Sequence, residues 1–236
     1  MAVAFDAFSN GTAGTGDISF THTPVRTPRG AIVIVLGVSG TDGVSGVTYG
    51  GVAMAEVSGS PNLKGTAELA GAYVYFLGAS IPTGAQTVAM TSSNTHLKSI
   101  SCITLTAAAD TEVVDSDGTI NSDSVADPSV TLSLGGRTAF AAIGLVSGQD
   151  AVTGITPPSG WTSRLEQDAG AVTVGHYTYD TIGSTDVAAG WTQTAEDATA
   201  IAVAVSEVAA GGTVGGRSLV NAGLVNRGLV AGGLVN

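Results

Sequence analysis

The stretch Ala31-Ile32-Val33-Ile34-Val35-Leu36-Gly37-Val38 decides the fold of this chain. Apart from Gly37 it is apolar, and its β-branched residues favour an extended strand. A near-continuous apolar run of this length, bounded by turn residues, is typical of a strand that is covered on both faces. A second such run, Thr199–Val208, lies much later in the chain. We therefore expect two central, fully buried strands.

Short strand-like segments separated by turn residues occupy the sequence around these two runs. Gln86–Ser92 alternates cleanly, so that Val88 and Met90 share one face. Turn signals such as Pro82-Thr83-Gly84 separate the segments, and none carries a capped pattern of helical period. The predicted strands are Val3–Phe8, Asp17–His22, Ala31–Val38, Val52–Val57, Ala72–Leu77, Gln86–Ser92, Lys98–Ala108, Ser129–Leu134, Thr138–Ser147, Trp161–Gln167, Val172–Tyr179, Thr185–Trp191 and Thr199–Val208. This spacing predicts an all-β fold of two packed antiparallel sheets, a β-sandwich or jelly roll, over residues 1–208.

The composition narrows the function. Only 11% of the 236 residues are charged, and the net charge is −11, which argues against a nucleic-acid partner because phosphate contacts need a cationic face. The single cysteine, Cys102, lies in an apolar run and is expected to be a small buried hydrophobe. Surface polarity must come largely from Ser and Thr hydroxyls, which suits a surface covered by neighbouring subunits.

The sequence also gives expectations about where the protein is located. No apolar stretch is long enough to cross a bilayer, so no membrane partner is expected. The N-terminal residues lack the basic start and apolar core of a signal peptide. Release from a host cell by lysis, as for a virion component, is compatible with both observations.

The composition changes after Val208. Residues 209–216 are a Gly-rich linker, and residues 217–236 repeat a Leu-Val pair every five residues. On an extended chain this odd period places Leu and Val on both faces, and about twenty residues cannot form a core alone. We expect the repeat to assemble subunits, with a trimer as the best guess; a loose terminal tail is the alternative. The predicted assembly residues are Leu219, Val220, Leu224, Val225, Leu229, Val230, Leu234 and Val235.

The order of motifs over residues 1–208 carries a resemblance. Val47-Thr48-Tyr49-Gly50-Gly51-Val52 follows the first central strand, and Ala72–Leu77, Gly160-Trp161 and the closing strand come after it. This order resembles a β-sandwich domain found in structural proteins of tailed phages and in some bacterial surface proteins. The resemblance implies a jelly-roll-like module in a virion or on a cell surface, and it implies no active site.

Motifs for chemistry are weak. The three histidines have no paired spacing, and no nucleophile elbow or phosphate-binding loop occurs, so we expect neither an enzyme nor a cofactor. Asp115, Asp117 and Asp123 lie beside a Gly turn and are a weak calcium candidate. The alternative for this acidic segment is a solvated loop between strands.

Aromatic residues offer one further candidate site. Tyr177, Tyr179 and Trp191 could stack on a glycan, although packing in the core is favoured for such residues in a sandwich.

The sequence thus predicts a non-enzymatic structural protein on the exterior of a phage particle, assembled in the host cytoplasm. The favoured role is a capsid decoration (cement) protein that contacts itself and the major capsid or another virion protein. The alternative is a glycan- or receptor-binding module of a phage tail or bacterial surface.

Overall fold

A computed structural model describes residues 2–37, 43–64, 70–121, 129–148, 159–168, 172–183, 185–191 and 198–209. Every regular element in these ranges is a β-strand. The strands are β1 (Ala4–Asn10), β2 (Gly14–Thr15), β3 (Ile18–His22), β4 (Gly30–Gly37), β5 (Val44–Tyr49), β6 (Val52–Ala53), β7 (Ala55–Glu56), β8 (Asn62–Lys64), β9 (Ala70–Leu77), β10 (Gln86–Ser92), β11 (Leu97–Thr106), β12 (Thr111–Asn121), β13 (Ser129–Leu132), β14 (Ala139–Ser147), β15 (Thr162–Asp168), β16 (Thr173–Ile182), β17 (Val187–Gly190) and β18 (Ala198–Glu207).

The described strands form four antiparallel sheets. A seven-stranded sheet has the order β1-β11-β4-β9-β7, with β2 on β11 and β8 on β9. A four-stranded sheet has the order β3-β10-β5-β6, a five-stranded sheet β12-β18-β14-β16-β15, and a two-stranded sheet β13-β17. The predicted all-β fold of packed antiparallel sheets is confirmed, with four described sheets where two were expected.

The apolar runs lie where both of their faces can be covered. In β4, Ile32, Ile34 and Leu36 face the five-stranded sheet and form the central core with its residues. The alternate residues Val33 and Val35 face the four-stranded sheet and form the N-terminal core. Each of these side chains is fully buried, so the prediction of a doubly covered central strand is confirmed. The run that became β18 is divided in the same way, between the central core and a C-terminal core under the two-stranded sheet.

The two halves of the body have the same topology. The order β1-β11-β4-β9-β7 of the first half is matched by β12-β18-β14-β16-β15 in the second, and the pair β3-β10 is matched by β13-β17. A register shift interrupts the first strand of each half at the matching place, between Phe5 and Ala7 in β1 and between Val113 and Asp115 in β12. Such bulges are specific features of a strand pair. The body therefore uses one seven-strand arrangement twice, and β2, β5, β6 and β8 of the first half have no counterpart among the described strands.

The two halves pack face to face through their large sheets. β4 contacts β14, β9 contacts β18, and β12 lies against β8. The fit is close at Gly144, where an added Cβ would lie 2.6 Å from Ile34 Cγ2 and 2.7 Å from Leu36 Cδ2. The central core therefore joins the halves into one body.

The described part of the acidic segment, up to Asn121, is a strand and not the solvated loop that was the alternative to a calcium site. β12 runs from Thr111 to Asn121 and pairs with β18 along its length. Asp and Gly have low β propensity, and this hid the strand in the sequence. The short strands β2, β5 and β8 were also not predicted.

Candidate functional site

The predicted assembly residues Leu219, Val220, Leu224, Val225, Leu229, Val230, Leu234 and Val235 lie outside the described residues. The last described strand, β18, ends at Glu207. The strands of all four sheets thus precede the Leu-Val repeat in the chain.

The aromatic residues predicted for glycan contact are mostly inside the body. Tyr177 is 0% and Trp191 1% exposed, and their ring centroids lie 6.1 Å apart in the C-terminal core. Tyr179 is partly buried and meets Trp161 edge to face at 5.5 Å. Because two of the three rings have no surface for a sugar to stack on, these aromatics serve packing in this arrangement.

Two of the three calcium candidates hold backbone amides. Asp117 Oδ2 accepts the N–H of Thr131 at 2.6 Å, and Asp115 Oδ2 accepts that of Ser133, also at 2.6 Å. Asp123 lies outside the described residues. β13 pairs with β17 on its other side, so Asp117 satisfies a donor on the free edge of β13 and Asp115 satisfies the donor of Ser133, just after the strand. They fasten the two-stranded sheet to the first strand of the five-stranded sheet.

His22 belongs to a hydrogen-bonded chain inside the first half. Thr104 Oγ1 donates its only proton to Asp6 Oδ2 at 3.0 Å. Thr104 Oγ1 is therefore the acceptor in its contact with His22 Nε2 at 3.1 Å, and Nε2 carries the proton. His22 Nδ1 is then the acceptor for the Ser9 hydroxyl at 3.0 Å. Desolvation lowers the pKa of His22 to about 4, while the Asp6 carboxylate acts in the opposite direction.

In this hydrogen-bonded network a serine hydroxyl donates to a histidine, as in a catalytic serine–histidine pair, but the low pKa of His22 favours a structural role. An imidazole with a pKa of about 4 is a weak base at neutral pH. Asp6 also accepts the backbone N–H groups of Val25 at 3.2 Å and Arg26 at 2.9 Å. The network therefore ties the edge strand β1 to the segment after β3.

His176 forms a second buried polar cluster, between the two halves. Its Nδ1 lies 2.8 Å from Ser101 Oγ and its Nε2 lies 3.4 Å from Ser99 Oγ, and Gln167 donates to Ser99 at 3.1 Å. The histidine is 0% exposed, and desolvation lowers its pKa to about 3. Such a group is neutral at physiological pH and positions β16 against β11.

Arg164 provides a second polar connection between the halves. It donates to both carboxylate oxygens of Asp180, at 2.8 and 2.7 Å, and its Nε donates to Thr178 at 2.8 Å. Its guanidinium lies 3.8 Å from the ring centroid of Phe5 in β1. A planar guanidinium held in this way bridges an edge strand of each half.

An open groove lies where the described chain ends. Its volume is about 420 Å³, and its lining includes Val3, Arg137, Glu207 and Val208. Arg137 donates to Glu112 at 2.6 Å and to the Glu207 carbonyl, so its charge is already paired. Among the described residues that line the groove, Arg137 is the only Lys or Arg side chain, and it is paired in this way.

The described residues provide neither a reactive cysteine nor a metal site. Cys102 is free and fully buried, as predicted, and burial raises the pKa of its thiol, which keeps it protonated. The described part of the chain brings no three His, Cys, Asp or Glu residues together in a way that could hold a metal ion. Nor do these residues form a helix long and apolar enough to cross a membrane.

Comparison with known proteins adds no family. No family model matches the chain, no curated protein matches it, and no solved structure matches it.

Proposed function

We propose that this chain is a non-enzymatic structural protein of a bacteriophage particle, namely a capsid decoration protein on the exterior of the head. The observation that carries the proposal is the division between a body with its own cores and the apolar repeat that follows it. All described strands end by Glu207, whereas the Leu-Val repeat begins at Leu219. In the proposed role the eight Leu and Val side chains make the contacts between subunits.

The outer layers of the body support such contacts. The strands of the four-stranded and two-stranded sheets contain no Asp, Glu, Lys or Arg. Their exposed residues include Thr21, Thr87 and Thr91 on one outer face and Ser129 and Thr131 on the other. A chain with a net charge of −11 would repel its own copies, but the strands on these faces present uncharged side chains to a neighbour.

The buried chemistry of the body also fits a structural role. Both buried histidines and the free cysteine are enclosed, and each histidine is hydrogen-bonded to hydroxyls of neighbouring strands. Polar groups used in this way position strands in the fold. In the proposed role the body covers junctions between capsid subunits, while the repeat links copies of the chain, with a trimer as the expected unit.

Removal of the repeat tests the proposal. The full chain, a truncation after Gly212 and a Leu224→Asp/Leu229→Asp variant are compared by light scattering and by binding to particles of the encoding phage that lack this protein. A Val25→Asp variant is the control, because Val25 is a 77% exposed residue of the body and the substitution adds the same kind of charge.

We expect the full chain and the control to form the same oligomer and to bind particles. The truncation and the Leu variants should be folded monomers that bind poorly, since the apolar contact is lost. Oligomerisation and particle binding unchanged by the truncation would show that the repeat is not an assembly element.

A further inference from the structure

Lys98 is a buried amine at the start of β11. Its side chain is 2% exposed, and Nζ lies 2.5 Å from Asn94 Oδ1 and 2.9 Å from the carbonyl oxygen of His96. None of the ion pairs among the described residues includes it. Burial of an ammonium without a direct ion pair is costly, and this cost favours the neutral amine.

The distances place the amine within reach of the Asn94 carbonyl carbon. A C=O bond is about 1.23 Å long, so Nζ can be no more than about 3.7 Å from Cγ. Reacting atoms in near-attack geometries lie about 3–3.5 Å apart. A small rotation of either side chain would therefore bring the two atoms into a position for bond formation.

The surroundings favour the reactive form of each partner. Burial lowers the pKa of Lys98, which increases the share of neutral amine, whereas the negative charge of Asp17 acts in the opposite direction. Asp17 is fixed near this site because its Oδ1 accepts the backbone N–H of Ser92 at 2.7 Å. A carboxylate in this position can accept a proton that the amine releases.

The Asn94 amide is also held and polarised. The backbone N–H of His96 donates to Oδ1 at 3.3 Å, while the Ser92 hydroxyl, 3.5 Å from this oxygen, lies closer to the Asn94 backbone carbonyl, at 3.1 Å. Donors on this oxygen stabilise the negative charge that develops during attack on Cγ. The other side of the amide rests on Gly43, where an added Cβ would lie only 1.7 Å from Nδ2.

We propose that Lys98 and Asn94 form an intramolecular isopeptide bond. The Nζ lone pair forms a bond to Asn94 Cγ, and the Cγ–Nδ2 bond breaks. Asp17 accepts the proton that Nζ loses and returns it to the leaving nitrogen, so that one molecule of ammonia is released. The reaction is a transamidation that needs no oxidant, reductant or cofactor.

The bond would close a ring across the turn between β10 and β11. β10 belongs to the four-stranded sheet and β11 to the seven-stranded sheet, so this turn is a crossover between two layers. A covalent ring at the crossover would fix the point at which β11 enters the seven-stranded sheet. This proposal does not rest on the proposed function of the chain.

Mass spectrometry of the purified full-length chain tests the proposal directly. We expect the denatured protein to be lighter than its sequence mass by one ammonia. Trypsin should not cleave after Lys98, and fragmentation should yield no backbone ions between residues 94 and 98. Lys98→Arg should abolish the deficit, whereas the control Lys64→Arg, at another buried lysine, should retain it.

A wild-type chain with the full sequence mass overturns the proposal, and this result does not depend on any variant being folded. A deficit located only at Asn10-Gly11, where a succinimide would release the same mass, overturns it as well. Asp17→Asn should lower the cross-linked fraction at a fixed time after synthesis. A fraction equal to that of the wild type would refute the assignment of Asp17 as proton acceptor.

Discussion

Acid should weaken the body through its two buried histidines, His22 and His176. Both are neutral in the folded state, with pKa values of about 4 and about 3, against about 6.5 in an unfolded chain. Because the folded pKa values are depressed, the unfolded chain binds more protons below pH 6.5. Stability is therefore full above pH 6.5 and falls as the pH drops toward the folded pKa values.

The size of the effect follows from the two shifts. Each pH unit in this window costs about 1.4 kcal/mol per histidine, so at pH 4.5 each contributes a loss of roughly 2–3 kcal/mol. Together they amount to about 5 kcal/mol, which is comparable to the whole stability of many domains, about 5–15 kcal/mol. A loss of this size is easily measured.

The assay is urea unfolding at pH 7.0 and pH 4.5 for the wild type, His176→Gln, His22→Gln and the double variant. Glutamine keeps a hydrogen-bonding group but does not titrate. Each single variant should lose about half of the pH dependence, and the double variant most of it, whatever its stability at pH 7. If His176→Gln retains the full wild-type dependence, the neutral buried state of this residue is wrong.

Other predictions concern the joints of the body. Asp117→Ala and Asp115→Ala should each lower the free energy of unfolding by about 1–2 kcal/mol, because a backbone amide in β13 or directly after it loses its acceptor. Added calcium should leave the Tm of the wild type unchanged, and a rise in Tm would contradict the structural role of these aspartates. Gly144→Ala should lower the free energy of unfolding in urea by about 1–3 kcal/mol, because the added methyl group overpacks the central core. Gly46→Ala is the control and should lower it less, because the nearest atom to the added Cβ is 3.7 Å away. Equal losses of stability would argue against the close packing of the halves. Cys102→Ala should cost on the order of 1 kcal/mol and leave oligomer size unchanged in light scattering, since the thiol is buried; a change in oligomer would give the cysteine a role in assembly.

The sequence predicted the buried strands well because their apolar residues report burial directly. The run at Ala31–Val38 implied cover on both faces, and β4 has it. β12 was missed because its aspartates act through backbone amides of β13, a tertiary contact that no local pattern reports. Propensity is overridden wherever such contacts decide.

The doubled topology was missed because residue type is kept at only some of the matching positions of the two halves. Tyr75 of β9 pairs with Val33 of β4, and Tyr177 of β16 pairs with Ile143 of β14, so the two tyrosines match. The residues directly before them, Val74 and His176, therefore also occupy matching positions. Val74 packs in the central core, whereas His176 binds Ser101. The polar clusters of His22 and His176 join residues that are far apart in the chain, and their spacing in the sequence gave no signal.

The copy number and position of this protein on purified phage particles test the proposed function most directly. Electron cryomicroscopy of particles with and without the chain would locate its density, and quantitative mass spectrometry would count it. A decoration protein is predicted to cover the head in numbers that follow the capsid lattice, with the Leu-Val repeats in contact with neighbouring copies or capsid subunits. Absence from the particle, or a few copies at the end of the tail, would contradict the proposal.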